Sequence, residues 1–255
     1  MIKVRTEEEI ALLRENAIIV SKTLAEVGRH IAPGVKTKDL DALAAEFIRD
    51  NGAEPGFLGY GGYPHNICIS VNEYVVHGFP SDYELRNGDI VSIDCGTVYK
   101  GYYGDSAYTF GCGELSAADQ ALLDTTKASL YKGIEAAAAG ARTGDIGYAV
   151  QSYCEERGYG VVRELVGHGI GRNMHESPEV PNYGRRGHGV KLQAGTVICI
   201  EPMINQGVKE VYLADDGWGV YTADRKKSAH FEMTVVIRKG GAERLTTYEF
   251  IENNK

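Results

Sequence analysis

Tryptophan is nearly absent from this chain: Trp218 stands alone among 255 residues. Cysteine is sparse and unpatterned. The five thiols, Cys68, Cys95, Cys112, Cys154 and Cys199, are odd in number and scattered, with no C-x-x-C spacing. They give no disulfide framework and read as free thiols in a reducing cytosol. No apolar run approaches the ~18 residues that a membrane helix needs. The start, Met1 to Glu7, lacks an apolar stretch, so no signal peptide is expected. Positive charge is in deficit: 27 Lys and Arg face 35 Asp and Glu, for a net charge of −8. That balance argues against nucleic-acid specificity or anionic-membrane binding. Basic residues gather at Lys36 and Lys38, at Arg185 and Arg186, and at Arg225 to Lys227, and each group reads as an ordinary solvated cluster. No low-complexity linker divides the chain.

What is present is a duplication. Gly34-Val35-Lys36-Thr37-Lys38-Asp39-Leu40 opens a segment that closes at Asn51-Gly52, and Gly140-Ala141-Arg142-Thr143-Gly144-Asp145-Ile146 opens one that closes at Arg157-Gly158. Gly88-Asp89-Ile90-Val91-Ser92-Ile93-Asp94 is echoed by Gly195-Thr196-Val197-Ile198-Cys199-Ile200-Glu201, two aliphatic strands ending on a carboxylate. A period near half the chain means duplicated halves and not a solenoid. The expectation is one catalytic domain, 1–255, with internal halves 1–112 and 113–255.

Each half opens with two helices. Thr6 and Glu9 form a capping box for a helix that stops before Pro33-Gly34. Thr37 caps a second helix closed by Gly52, Ser116 a third ending near Gly140, and Thr143 a fourth closed by Gly158. Strands follow in blocks: 67–71, 74–77, 90–94 and 105–110, then 161–166, 197–201 and 231–237. Blocks of helices and strands favour α+β. The glycine-rich stretches 59–62, 101–104 and 184–189 read as loops.

Acids and histidines carry the chemistry. Asp94 and Asp105 flank Tyr99-Lys100-Gly101-Tyr102; a hairpin turning there sets the two carboxylates close to opposite on one face. Side by side they repel unless a proton or cation lies between them. The competing reading is a solvent-facing pair, against which the apolar neighbours Ile93 and Cys95 weigh. Glu201 and Glu232 each lie in an apolar strand, where a carboxylate must be paired, protonated or metal-bound; a structural salt bridge is the alternative. His168 and His175 bracket the glycine-bearing run Gly169-Ile170-Gly171, which lets both rings face one cavity. His77 follows another apolar strand. His30, His65, His188 and His230 lack such a setting and read as surface or packing residues. Carboxylates with imidazole form a hard donor set suited to Mn²⁺, Fe²⁺, Co²⁺ or Zn²⁺. A carboxylate-bridged pair of ions suits metal-assisted hydrolysis.

The chain resembles the type I methionine aminopeptidases of the pita-bread family over nearly its whole length. The likeness rests on Gly59-Tyr60, Gly62-Tyr63-Pro64, Val71-Asn72-Glu73, His77-Gly78, Ile93-Asp94, Gly104-Asp105, Gly167 to Gly171, His175-Glu176, Ile200-Glu201-Pro202 and Phe231-Glu232. It implies an antiparallel sheet covered by two helix pairs. It also implies two divalent metal ions held by Asp94, Asp105, His168, Glu201 and Glu232, with Asp105 and Glu232 bridging. Glu201 would help shuttle a proton, His175 would touch the scissile carbonyl, and His77 would hydrogen-bond the peptide nitrogen. Phe57, Tyr60, Tyr63, Cys68, His77, Met174, His175 and Trp218 would line the methionine pocket. Many bacterial relatives carry Phe in place of Met174 and Cys in place of Phe57, so the pocket wall is expected to differ here. Asn72, Tyr74 and Ser228 fall where the family holds a monovalent cation.

The implied activity is removal of the initiator methionine from nascent chains when the second residue is small, by a cytoplasmic monomer with transient ribosome association. Glu201 and Glu232 are too close for the type II insertion, and no extra N-terminal domain of the proline-specific kind is expected. Two other readings stand beside it: an inactive module that binds ribosomes or a partner, and a broader dipeptidase or proline-specific peptidase.

Overall fold

Residues 2–253 are described by a computed structural model; the reading of Met1 lies outside them. Helices α1 (Glu7–Arg29) and α2 (Thr37–Asp50) precede β1 (Glu54–Pro55), β2 (Cys68–Val71), β3 (Tyr74–Val76) and a long hairpin, β4 (Ile90–Tyr99) with β5 (Tyr102–Gly111). Helices α3 (Ala117–Ala136) and α4 (Thr143–Glu155) then precede β6 (Gly160–Val161), β7 (Gly167–Gly169), β8 (Glu176–Val180) and β9 (Val197–Ile200). The remainder is β10 (Met203–Asn205), β11 (Val211–Leu213), β12 (Val220–Thr222), β13 (Ser228–His230), β14 (Glu232–Arg238), β15 (Gly241–Arg244) and α5 (Glu249–Glu252).

The main sheet runs β1-β4-β5-β14-β9-β7-β8, with β2 also on β4 and β15 also on β14. Its centre, β4-β5-β14-β9, is antiparallel throughout. The two halves therefore meet where β5 pairs with β14. Each half lays its helix pair on this sheet, and the largest apolar cluster draws on both halves, from Ile19 to Ile251. This is the pita-bread fold.

Helix α1 buries Ile10, Leu13, Ala17, Val20, Leu24 and Val27, the stripe that helical periodicity demands. Its Thr6–Glu9 capping box is formed. Ser116 caps α3 through the Asp119 amide. Thr37 and Thr143, expected as caps, are instead the first helical residues, behind Lys36 and Arg142. Their hydroxyls are spent on neighbouring segments: Thr37 Oγ1 accepts from the Ser81 amide at 2.9 Å and Thr143 Oγ1 from the Val190 amide at 3.2 Å. The duplication is exact in kind here. The Gly34 amide donates to Leu85 O at 2.7 Å and the Gly140 amide to Leu192 O at 3.0 Å. Both glycines hold left-handed φ, 89° and 97°, where a side chain would be strained.

Three strand expectations change. Strand β4 continues five residues past Asp94, so this acid lies mid-strand; β9 stops at Ile200, one residue short of Glu201, where Pro202 offers no amide to continue the ladder. The 161–166 strand shrinks to Gly160–Val161, where the polar pair Arg163 and Glu164 turns to solvent, and Gly167–Gly169 pairs separately. Gly104 belongs to β5 and not to a loop.

Candidate metal centre

Lys100 and Gly101 hold φ of 49° and 79°, the two-residue turn of a tight hairpin. With that turn fixed, Asp94 pairs with Ala107 and Asp105 with Gly96. The two acids share a face as diagonal neighbours, not directly opposite, and diagonal neighbours remain within reach. From the second half, Glu201 follows β9 and Glu232 opens β14, with Met233 paired to Ile200. His168 arrives from β7, whose Gly169 pairs with Ile198 of β9. The His168 Nδ1 proton is donated to Gly169 O at 3.0 Å. That tautomer leaves the Nε2 lone pair facing Glu201 Oε1 at 3.4 Å and Asp105 Oδ2 at 3.8 Å.

Asp94, Asp105, Glu201 and Glu232 each have one buried oxygen without a hydrogen-bond partner. Buried polar atoms are normally satisfied, so four such oxygens in one cluster form a donor set suited to a cation. Burial raises all four acids. Asp94 is pushed up to about 7. Burial, then the charges of Glu232 and Asp94, pushes Asp105 well above the carboxylate range. Glu201 is raised by burial, then by Asp105 and Asp94. Glu232 is raised by burial, then by Glu201 and Asp94. Burial also pushes His168 down to about 3, so its ring is neutral. The residues fit a divalent cation: crowded oxygens that resist ionising alone, and an imidazole lone pair among them.

Cys199 was not anticipated here. One donor atom each of Asp105, His168, Cys199 and Glu232 lies within 4.8 Å of the others, and all four residues are buried. The thiol lies on the floor, 3.5 Å from Thr234 Oγ1. Burial, and then the charges of Glu232, Asp105 and Glu201, push it well above the usual thiol range. His230 was also missed. It read as packing, yet it is buried at 2% exposure and its Nε2 lies 3.9 Å from Glu201 Oε2. Its sequence signal was its place two residues before Glu232.

The rim carries the remaining expected residues. His77 holds a left-handed φ of 60° at the end of β3, and its ring meets Trp218 edge-on with centroids 6.4 Å apart. Tyr63 is buried, donates to Gly78 O at 2.9 Å and packs edge-on against Trp218 at 5.1 Å. Cys68 is opposite Asp94 across the β2–β4 ladder. Tyr60 Oη and His175 Nδ1 share a 2.8 Å hydrogen bond, and the His175 and His168 rings are 4.3 Å apart. Arg5 pairs with Glu176, the residue after His175, and tethers this loop. Met174 is fully buried. It and Phe57 converge on Gly96, where a Cβ would fall 2.7 Å from Met174 Cε and nearer still to Phe57. Gly96 thus makes room for two of the expected pocket residues, a role that sequence reasoning passed over. Asn72 O accepts the Ser228 amide at 2.9 Å, and Tyr74 opens the adjoining strand. The Ser228 hydroxyl donates to Asn205 Oδ1 at 2.8 Å.

Two matched halves that converge carboxylates and one neutral imidazole on a buried point define a metal-dependent hydrolase of the pita-bread class. The pattern of "Metallopeptidase family M24" matches residues 11–239, and the chain belongs to that family. It is 50% identical over 246 residues to the methionine aminopeptidase of Clostridium perfringens, covering 96% of this chain and 99% of that protein. It is 46% identical to methionine aminopeptidase 1 of Bacillus subtilis, again over 96% and 99%. The crystal structure of methionine aminopeptidase from Rickettsia prowazekii superposes with a TM-score of 0.96 at 42% identity, covering 97% of this chain and all of that one. Prolidase from Pyrococcus furiosus superposes at 0.79 and 26% identity, but this chain covers 65% of it. No helix among the described residues is long and apolar enough to cross a membrane.

Proposed function

We infer that this chain is a methionyl aminopeptidase that removes the initiator methionine from nascent proteins when the second residue is small. One observation carries the reading: Asp105 from one half and Glu232 from the other each bring a carboxylate oxygen within 4.8 Å of a His168 ring nitrogen, in a cluster whose acids Asp94, Asp105, Glu201 and Glu232 each hold a buried oxygen without a hydrogen-bond partner. In this reading Asp94, Asp105, His168, Glu201 and Glu232 would hold two divalent ions, with Asp105 and Glu232 brought side by side by the paired central strands β5 and β14. When bound, such ions supply an activated water and polarise the scissile carbonyl.

The chain's own groups do the rest. Glu201, a carboxylate that burial renders basic, takes and returns the proton of the attacking water. Tyr60 can donate to His175 Nδ1 and so leave Nε2–H to donate to the carbonyl oxygen as it gains charge. His77, fixed against Trp218, hydrogen-bonds the peptide nitrogen. Phe57, Tyr60, Tyr63, Cys68, Met174 and Trp218 form the apolar wall of the methionine pocket, and thioether–aromatic contacts suit that side chain. A monovalent cation at Asn72, Tyr74 and Ser228, a single catalytic domain built of halves 1–112 and 113–255, and a monomer acting in the cytoplasm near the ribosome belong to the same proposal.

The test is release of methionine from Met-Ala-Ser by chelator-stripped protein, before and after Mn²⁺, Fe²⁺ or Co²⁺. Restored release, with Met-Arg peptides spared, is expected. Folded protein that releases nothing with any metal would favour the inactive-module reading. Equal cleavage of X-Ala or X-Pro peptides with other first residues would favour a broader peptidase.

A further inference from the structure

His230 has no role in the mechanism above, yet it is among the most constrained side chains near it. Its ring is buried, and neither ring nitrogen has a hydrogen-bond partner. A neutral imidazole carries one N–H and one lone pair, and both ordinarily find partners when buried. The backbone cannot carry the ring elsewhere. The His230 amide donates to Thr109 Oγ1 at 2.9 Å, the Thr109 hydroxyl donates back to His230 O at 2.7 Å, and Met203 pairs with it across β10 and β13. Two ionisable groups face the ring: Glu201, with Oε2 3.9 Å from Nε2, and the imidazole of His77.

Glu201 thus stands between two imidazoles. Its Oε1 faces His168, whose lone pair points at the metal position; its Oε2 faces His230. Ligating carboxylates are themselves generally held by an outer hydrogen bond that fixes which oxygen meets the ion. We propose that His230 is the positioning residue for Glu201, its ring N–H holding Oε2 so that Oε1 is the oxygen presented to the metal beside His168. The 3.9 Å separation exceeds hydrogen-bond range, so the proposal requires the ring and the carboxylate to close that gap when metal binds. The role is not catalytic, since His230 acts through Glu201. The inference rests on the metal-centre reading.

The experiment titrates Mn²⁺ calorimetrically, and Co²⁺ by visible absorption, into the chelator-stripped full chain and its His230→Leu, His230→Gln and Asp105→Asn variants. Metal-free folding is monitored by far-UV circular dichroism. His230→Leu is expected to weaken metal binding roughly 10–100-fold, the usual effect of losing an outer partner of a ligand. His230→Gln, whose amide N–H has comparable reach, is expected to recover most of that loss. His230→Leu binding as tightly as wild type overturns the inference alone, and so does folded His230→Gln binding as weakly as His230→Leu. Should His230→Leu misfold, His230→Asn, with a shorter amide, serves as the weak-binding arm under the same criteria. Wild type that binds neither ion overturns the metal-centre reading with it, as does Asp105→Asn that binds normally.

Discussion

The two halves solve the same problem with different chain economies. In the first, Asp94 and Asp105 sit on one uninterrupted hairpin, β4 and β5, joined by a two-residue turn. In the second, β9 and β14 form the corresponding ladder, but four short strands intervene between Glu201 and Glu232. That intervening stretch supplies Trp218 and His230, whereas only ten residues separate Asp94 from Asp105. Symmetry sets the carboxylate floor, then, and asymmetry supplies one wall. The floor depends on backbone register, which the hairpin and ladder fix rigidly. The wall depends on side chains that the floor does not need, so one half could grow it without disturbing the carboxylates.

The strongest way to break this comparison is to remove one acid from each half. Asp105→Asn and Glu232→Gln should both lower metal-supported kcat/KM by at least roughly 10²–10³-fold, the scale for losing one charge-stabilising group. Cleavage of Met-Ala-Ser under saturating metal would show it. If either variant kept near-full turnover, the halves would not be equal contributors. Next is Gly96→Ala. An added methyl meets Phe57 and Met174, and overpacking typically costs about 1–3 kcal/mol. Urea unfolding should show this loss, and methionine-peptide KM should rise as the pocket wall shifts. The second-half position is Met203, so no matching glycine sensitivity is expected there.

Acidity offers a subtler test. Asp94 is pushed up to about 7 from an ordinary 3.8. The protonated group favours the fold, so its contribution is complete below about pH 4 and is lost as pH rises through 7. His168 and His230, pushed down to about 3, and His77 and His175, also lowered by burial, run the other way, and their gain fades only as the unfolded imidazole finishes losing its proton, about one unit above 6.5. From pH 6.5 to 8 the four raised acids, Asp94, Asp105, Glu201 and Glu232, together outweigh that fading gain. Chelated protein should lose on the order of 1 kcal/mol from Asp94, each pKa unit being worth ~1.4 kcal/mol. Melting curves in chelator should fall over that interval, and Mn²⁺ should remove the fall. A chelated melting temperature that rises with pH would contradict the shared-proton picture.

Smaller effects compare the matched corners. The Thr37 hydroxyl makes three hydrogen bonds with Ser81, to its amide, carbonyl and hydroxyl, whereas the Thr143 hydroxyl makes one with Val190, to its amide. Thr37→Val should cost about 1–2 kcal/mol and Thr143→Val about 1, by denaturant unfolding. The least change is expected where the Ser92 hydroxyl donates to Thr109 Oγ1 at 2.8 Å and its counterpart Cys199 lies 3.5 Å from Thr234 Oγ1. Cys199→Ser should shift stability by less than about 1 kcal/mol and leave metal-supported turnover within a few-fold. A collapse of metal binding there would make the thiol a ligand.

Much of this is legible in the sequence alone. The capping box at Thr6 and the turn at Lys100-Gly101 are local chemistry, and local chemistry is written in adjacent residues. The repeated Gly-x-x-Thr corners were legible as a repeat but misread as caps, since Thr37 and Thr143 bond to Ser81 and Val190, partners more than forty residues away. The diagonal placement of Asp94 and Asp105 needed a register, which shifts whole sets of neighbours by two residues without changing a face.

The sequence by itself determined the duplication, the helix pairs, the aliphatic strands bearing acids, and a resemblance specific enough to imply a ligand set. These follow from periodicity and spacing along the chain. Only the tertiary structure decided that Cys199 lies under the acids, that Gly96 makes room for Phe57 and Met174, and that His230 stands beside Glu201. Each depends on which strands become neighbours across the pseudo-two-fold. Burial and orphaned polar atoms exist only once distant segments have excluded water together, and no property of a single residue announces them.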